Sequence, residues 1–190
     1  MDSILVVCYS YTGVSRRVAQ LLASQRGWPL GEIREREPRW GARGNLRCVL
    51  DSLFARRPPI RYEGPDPAHF RTVVIVSPIW AYRLAGPMRS FLAEHVAHLT
   101  RVAQVTTMGE AGASNAIAEV ARLLGRAPIL TAEFTAREIA DGTGTTRLLQ
   151  FADALVPGST VRQRIPHPAL TPADTLPASP SEVRPPLAVD

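Results

Sequence analysis

Residues 3–15, SILVVCYSYTGVS, decide how this chain folds. The apolar, β-branched run 3–9 predicts a buried strand that ends at Ser10. Apolar residues then recur at helical spacing over 14–25, which predicts an amphipathic helix that ends at Gly27. A buried strand that leads through a short loop into a helix is the basic unit of an α/β sheet.

The same unit recurs along the chain. Strands 72–77 and 101–106 are apolar throughout, as strands buried on both faces of a parallel sheet are. The alternation predicts an α/β fold in three layers, with a five-stranded parallel sheet of order 2-1-3-4-5 and helices on both faces. A six-stranded dinucleotide-binding sheet would require a glycine fingerprint after the first strand, and the chain has none. The other predicted strands are 30–36 and 129–135, and the other helices are 46–56, 88–98, 114–124 and 145–155.

Composition changes after residue 156. The last 34 residues, 157–190, hold eight of the seventeen prolines. Because proline lacks the backbone donor that helices and sheets need, this segment is predicted to be an extended or disordered tail. The domain itself is predicted to span residues 1–156.

Charge and cysteine content exclude several classes of protein. All 22 basic residues are arginine and the net charge is +5. The absence of lysine excludes Schiff-base enzymes and lysine-containing phosphate loops. The basic excess lies in 34–61, where an acidic protein partner or a plain solvated surface is favoured over nucleic acid, because no aromatic stacking array accompanies it.

Two cysteines, with no membrane span or signal peptide, favour a reduced cytoplasmic protein that does not bind a membrane. Of the four histidines, only His95 and His98 share a helix face, and no third ligand is near. No metal site is therefore predicted.

The loop between the first strand and the first helix predicts a phosphate site. Ser10, Thr12 and Ser15 supply three hydroxyl groups around Gly13. The free N–H groups and the dipole of a helix N-terminus favour an anion at this position. Simple capping of the helix requires fewer hydroxyl groups than this loop contains.

Two further loops are expected at the same edge of the sheet. The loop 78–87, PIWAYRLAGP, places Trp80 and Tyr82 between prolines, which predicts stacking on a flat ring. Packing of Trp80 into the core or against a second subunit is the alternative. The loop 107–113, TMGEAGA, follows the neighbouring strand, and its glycines permit close approach of the backbone to a ligand.

Together the stretches YSYTGVS at 9–15, SPIWAYRLAGPMRSFL at 77–92 and VTTMGEAGA at 105–113 resemble the small bacterial flavodoxin-like proteins. The resemblance covers residues 3–155 and implies a flavodoxin-like fold with non-covalently bound FMN. The phosphate-binding residues that it implies are Ser10, Tyr11, Thr12, Gly13, Val14 and Ser15. The residues that it implies around the isoalloxazine ring are Pro78, Ile79, Trp80, Ala81 and Tyr82 on one side and Thr107, Met108, Gly109 and Gly112 on the other.

The implied function is electron transfer through FMN. NAD(P)H-dependent oxidoreductase activity on a quinone-like or protein acceptor stays open, and so does the oligomeric state, for which a homodimer is compatible with the sequence. The redox partner would be a protein or a small-molecule acceptor, and no side chain is assigned a catalytic role. The competing hypothesis is a non-catalytic interaction module that uses 34–61 and the tail.

Overall fold

The computed structural model describes residues 3–36, 50–51, 54–109, 112–156 and 164–165. The strands are β1 (Ile4–Tyr9), β2 (Leu30–Glu35), β3 (Ile60–Glu63), β4 (Thr72–Trp80), β5 (Arg83–Leu84), β6 (Arg101–Met108), β7 (Leu130–Thr135) and β8 (Arg164–Ile165). The helices are α1 (Val14–Arg26), α2 (Gly86–His95), α3 (Ala113–Leu124), α4 (Ala136–Asp141) and α5 (Thr145–Leu155).

The centre of the sheet has the predicted order. Strands β2, β1, β4, β6 and β7 lie side by side and are all parallel. Val74 of β4 is in register with Val6 on one side and with Ala103 on the other. The prediction of five parallel strands in the order 2-1-3-4-5 is therefore confirmed.

Short strands extend this sheet at three places. β3 pairs antiparallel with β2, β8 pairs parallel with β7, and β5 pairs antiparallel with the end of β4. β3 and α4 were not predicted from the sequence. For α4 a signal was present, since Thr135 and Glu138 have the spacing of a capping box, which the structure contains.

Alternate residues of the central strands face opposite layers of helices. On one face, Val6 and Val74 pack with buried side chains of α1 and α5, among them Leu22 and Phe151. On the other face, the buried side chains of the same strands pack against α2 and α3. Burial on both faces explains why the sequences of these strands are apolar throughout.

Two strands continue beyond their predicted ends. The strand predicted over 72–77 extends to Trp80, because Pro78 stays in register with Thr107 of β6. The segment 78–87 is therefore not a simple loop, since its first part is the end of β4 and its middle returns as β5 in a hairpin. The strand predicted over 101–106 extends to Met108.

Part of the predictions falls outside the described residues. Of the helix predicted over 46–56, Leu50 and Asp51 are helical, while Cys48 lies outside. In the tail, the prediction of no regular structure is wrong for Arg164–Ile165, which form β8. Residues 158–165 contain no proline, so their backbone donors are available for pairing. The rest of the tail lies outside the described residues, and its separation from the domain stays a prediction.

A buried ion pair joins α2 to α3. Arg89 Nε lies 2.5 Å from Glu119 Oε1, and the two side chains are 2% and 6% exposed. The remaining guanidinium nitrogens donate to the carbonyl oxygens of Leu84, Asp51 and Arg56 at 2.9–3.1 Å. The second oxygen of Glu119 accepts from the N–H of Leu84 at 3.2 Å. Both backbone polar groups of Leu84 are therefore held by this pair.

We expect Arg89→Ala to lower the free energy of unfolding by about 3–5 kcal/mol, because it leaves the Glu119 carboxylate buried without its charge partner. The matched control is Arg122→Ala on α3, whose side chain is exposed and whose removal should cost less than about 0.5 kcal/mol. Denaturant unfolding of both variants measures the difference. Equal losses for the two variants would contradict a structural role for the buried pair.

The start of α4 predicts a dependence of stability on pH. Burial raises the pKa of Glu138, but hydrogen bonds from Arg147 and Thr135 outweigh it and lower the pKa from 4.5 to about 2. The unfolded chain therefore binds more protons than the folded chain between these values. The stabilisation is fully present above pH 4.5 and is lost as the pH falls through about 2.

Glu138→Gln removes this titration while it keeps the size of the side chain. We expect the variant to be less stable than the native protein at neutral pH, and the difference to shrink as the pH falls below 4.5. Urea unfolding of both proteins over this pH range tests the expectation. A difference that is independent of pH would show that the carboxylate charge does not stabilise the helix start.

Candidate functional site

Four connections meet at the carboxyl edge of the parallel sheet. They lead from β1 to α1, from β4 through the hairpin to β5, from β6 to α3, and from β7 to α4. Open α/β sheets bind ligands at this edge, in the crevice between connections that leave toward opposite faces. α1 and α3 lie on opposite faces of the sheet, so such a crevice is present here.

The loop before α1 leaves donors without partners. Gly13 is in the left-handed region with φ 94° at the N-cap, and no side chain caps the helix. Ser10 Oγ accepts from the N–H of Gly13 at 3.1 Å, which shapes the turn. The N–H groups of Val14 and Ser15 donate to no protein acceptor among the described residues. These donors are available to an anion.

A hydrogen bond connects this loop to the end of β6. The hydroxyl groups of Ser15 and Thr107 lie 2.7 Å apart, and both side chains are buried. One hydroxyl donates to the other, so a single proton of the pair remains for a further acceptor. Two residues from separate sequence motifs thus meet directly.

The hairpin between β4 and β5 has an unusual turn. Trp80 is in register with Arg83, and both residues between them, Ala81 and Tyr82, have positive φ, at 46° and 61°. A two-residue turn with two positive φ values normally uses glycine or asparagine, and other residues lose about 1–2 kcal/mol each. Backbone strain of this kind is concentrated at functional sites.

Gly112 supports the tip of the hairpin. Its φ is 109°, and a Cβ atom on it would lie 2.8 Å from the Cα of Tyr82. A larger residue would therefore displace the turn. This contact explains why the third motif needs a glycine at this position, on the side of the crevice that α3 forms.

A cavity of about 220 Å³ opens between these connections. It is lined by eight of the predicted site residues and by Ala136 of α4, which the sequence reasoning missed. Ala136 directly follows Thr135, the N-cap of α4, so the unrecognised capping box was also the signal for this side of the cavity. The eight predicted residues are Thr12, Val14, Pro78, Ile79, Trp80, Thr107, Met108 and Gly109.

Trp80 forms part of the cavity wall. Its ring packs edge-on against Tyr11, with 5.3 Å between the centroids. Its Nε1–H is buried and has no hydrogen-bond partner in the described structure. A buried donor without a partner is costly, so a ligand that accepts from it would stabilise this arrangement.

The other predicted site residues lie around the cavity and do not line it. Ser10 shapes the turn before α1, Tyr11 packs on Trp80, and Ser15 bonds to Thr107. Gly13 forms the N-cap of α1. The hairpin turn and the residue beneath it complete the set, namely Ala81, Tyr82 and Gly112.

Cys8, His95 and His98 do not line the cavity. Burial raises the pKa of the Cys8 thiol to about 12, which keeps it protonated and unreactive. His95 packs against Tyr62 and Phe91, and burial lowers its pKa. The described residues include no group of three His, Cys, Asp or Glu side chains that could hold a metal ion. They also include no helix long and apolar enough to cross a membrane.

No protein-family model matches the chain, and no curated protein matches it. Among solved structures, the chain is similar to a flavoprotein in complex with FMN from Lactobacillus acidophilus NCFM, with 19% identity and a TM-score of 0.62 over 75% of this chain and 99% of that one. It is also similar to a candidate flavoprotein from Bacteroides eggerthii DSM 20697, with 20% identity and a TM-score of 0.60 over 76% of this chain and 98% of that one. The apo-form of the Lactobacillus acidophilus protein matches with 18% identity and a TM-score of 0.55, over 71% of this chain and 91% of that one. With the sheet order described above, these similarities establish that the chain has a flavodoxin-like fold.

Proposed function

We propose that this protein binds FMN non-covalently at the carboxyl edge of its sheet and transfers electrons through it. One observation carries the proposal: an uncapped helix N-terminus lies beside an apolar cavity whose wall contains a tryptophan with an unpartnered donor. FMN combines the two features that such a site would recognise, a phosphate and a flat aromatic ring. The similar structure from Lactobacillus acidophilus is described as a complex with FMN.

The loop before α1 fits the phosphate. The N–H groups of Val14 and Ser15 and the exposed hydroxyl of Thr12 are neutral donors, and the helix dipole adds a favourable field. This donor set needs no lysine, which the chain lacks. Ser15 would contribute its backbone N–H, and the one proton left over by its hydroxyl pair with Thr107 would be a further donor.

The cavity beside this loop fits the ring. Apolar and aromatic surface is provided by Pro78, Ile79, Trp80 and Met108. A Cβ atom on Gly109 would have no other atom within 4 Å, so the space beside this residue is open. The backbone of Gly109 would permit close approach on the side formed by the loop after β6.

Bound FMN would supply the electron-transfer chemistry, which the side chains cannot supply themselves. The described residues that line the cavity include no ionisable side chain. Their contribution is binding, orientation and the exclusion of water, not proton transfer. Anaerobic addition of NAD(P)H to the FMN-loaded protein tests hydride uptake, which would bleach the flavin absorbance.

The phosphate subsite is tested by Thr12→Ala combined with Ser15→Ala. We expect FMN affinity to fall about 10- to 100-fold, because a hydrogen bond to a charged group contributes about 1.5–3 kcal/mol. Riboflavin, which lacks the phosphate, should lose much less affinity. Titration of the apoprotein with both flavins, followed by quenching of flavin fluorescence, measures the two affinities.

The control for this pair is Ser24→Ala combined with Thr146→Ala, two exposed hydroxyl residues away from the cavity. It should leave both affinities within about twofold of the native values. If neither flavin binds the native apoprotein, the proposed function is wrong. If both flavins weaken equally in the Thr12 and Ser15 variant, the phosphate is held elsewhere.

The ring subsite is tested by Trp80→Ala. We expect FMN and riboflavin to lose affinity together, by about tenfold, because base-sized rings lose about 1–3 kcal/mol when an aromatic partner is removed. Trp80→Phe keeps the ring surface and should lose less than the alanine variant. The same fluorescence titrations apply. A Trp80→Ala variant with native affinity for both flavins would place Trp80 in a packing role.

A further inference from the structure

Exposed arginine is concentrated at the carboxyl edge of the sheet. Arg36 directly follows β2, and Arg57 precedes β3, whose antiparallel direction brings its start to the same edge. Arg83 lies in the hairpin and Arg137 in the first turn of α4. The exposed arginines here are Arg16, Arg17, Arg36, Arg56, Arg57, Arg83 and Arg137, which we call the arginine rim. Of these, Arg16 pairs with Glu32 at 3.0 Å.

The acids at this edge do not balance the arginine rim. Among the described residues there, Asp141 is the exposed acid, and it bonds to Thr143 in its own turn. Glu35 accepts from Tyr9 Oη at 2.5 Å. Glu138 is held in the capping box and by Arg147. The edge therefore presents net positive charge to solvent.

The opposite edge of the sheet is balanced by comparison. Its exposed arginines are Arg71, Arg122 and Arg126, and its exposed acids are Asp66, Glu94 and Asp153, of which Asp153 pairs with Arg26. Net positive charge is thus oriented toward the candidate flavin site and is not spread evenly over the protein. A charge distribution of this kind attracts partners of opposite charge to one face.

Two arginines of the rim are close to the cavity. Arg83 is directly opposite Trp80 in the hairpin, and cross-strand partners project to the same face. Arg137 follows Ala136, which lines the cavity. Neither arginine forms an ion pair within the described structure, although Arg137 attracts the exposed Asp141 carboxylate at longer range. The charge of Arg83 is available to a partner.

Exposed aromatic side chains accompany the rim. Phe54 is 66% exposed and Tyr82 is 62% exposed, although residues of this size are usually buried. The Arg56 guanidinium lies 5.4 Å from the centre of the Phe54 ring. Arginine and aromatic residues, with no lysine and few exposed acids, are the composition typical of the centre of a protein–protein interface.

We propose that the arginine rim, with Phe54 and Tyr82, is the docking surface for an acidic protein. A small anion would need the arginines to converge on one point, whereas these belong to separate elements along the carboxyl edge of the sheet. A protein surface of complementary charge matches both their spread and the exposed aromatic rings. That this partner exchanges electrons with the site rests on the proposed function.

The experiment uses an acidic two-iron ferredoxin as the probe and the full chain with and without FMN. Calorimetry at low ionic strength should show binding that weakens strongly as salt is added. Arg83→Glu and Arg137→Glu should each weaken binding about five- to tenfold, because they replace an attraction with a repulsion. Arg122→Glu makes the same change in net charge at the balanced edge and should change affinity less than about twofold.

Three results would overturn the docking proposal. The first is that the ferredoxin does not bind at low ionic strength. The second is that Arg122→Glu weakens ferredoxin binding as much as Arg83→Glu does. The third is that a mixed-sequence DNA duplex binds more tightly than the ferredoxin, with the same dependence on these arginines. FMN titration of each protein keeps the two proposals apart. If the ferredoxin binds but FMN does not, the docking proposal holds and the proposed function is wrong. If FMN binds but the ferredoxin does not, the proposed function holds and the docking proposal is wrong.

Discussion

The position of the hairpin beside the candidate site depends on the buried pair of Arg89 and Glu119. Two unit charges inside a protein are costly to desolvate, and here the cost is offset by hydrogen bonds, since every guanidinium nitrogen has an acceptor. Because the pair binds both the N–H and the carbonyl of Leu84, β5 cannot move without breaking it. Replacement by apolar residues would fill the space but would not hold this backbone in one place.

The anchored strand explains how a strained turn persists at the tip of the hairpin. Ala81 and Tyr82 are held at positive φ between Trp80, which continues the central strand β4, and Leu84, which the ion pair fixes. Gly112 leaves room for the turn from the side of α3. The two ends of the hairpin are thus held by β4 and by the buried ion pair, and Trp80 lies in the cavity wall at the end of β4.

The fold and most of the cavity lining were predictable from the sequence, because both follow from local patterns. Apolar runs located the five parallel strands, and glycine and hydroxyl residues after β1 located the uncapped start of α1. The hairpin was not predictable, because Pro78 resembles a strand end and the turn lacks the glycine that marks such turns. Nor were the contacts of Arg89 and Ser15, whose partners lie 30 and 92 residues away and are set by tertiary packing.

The surface around the site differs in charge from the interior of the cavity. The cavity lining is apolar and uncharged, whereas the edge around it is rich in arginine, and Arg83 belongs to the same cross-strand pair as Trp80. A positive edge lowers the energy of negative charge within its reach, whether that charge lies on a reduced cofactor or on an approaching protein. Arg83 therefore places a positive charge beside a residue of the cavity wall, where it attracts both negative charge that approaches from solvent and negative charge that is bound inside.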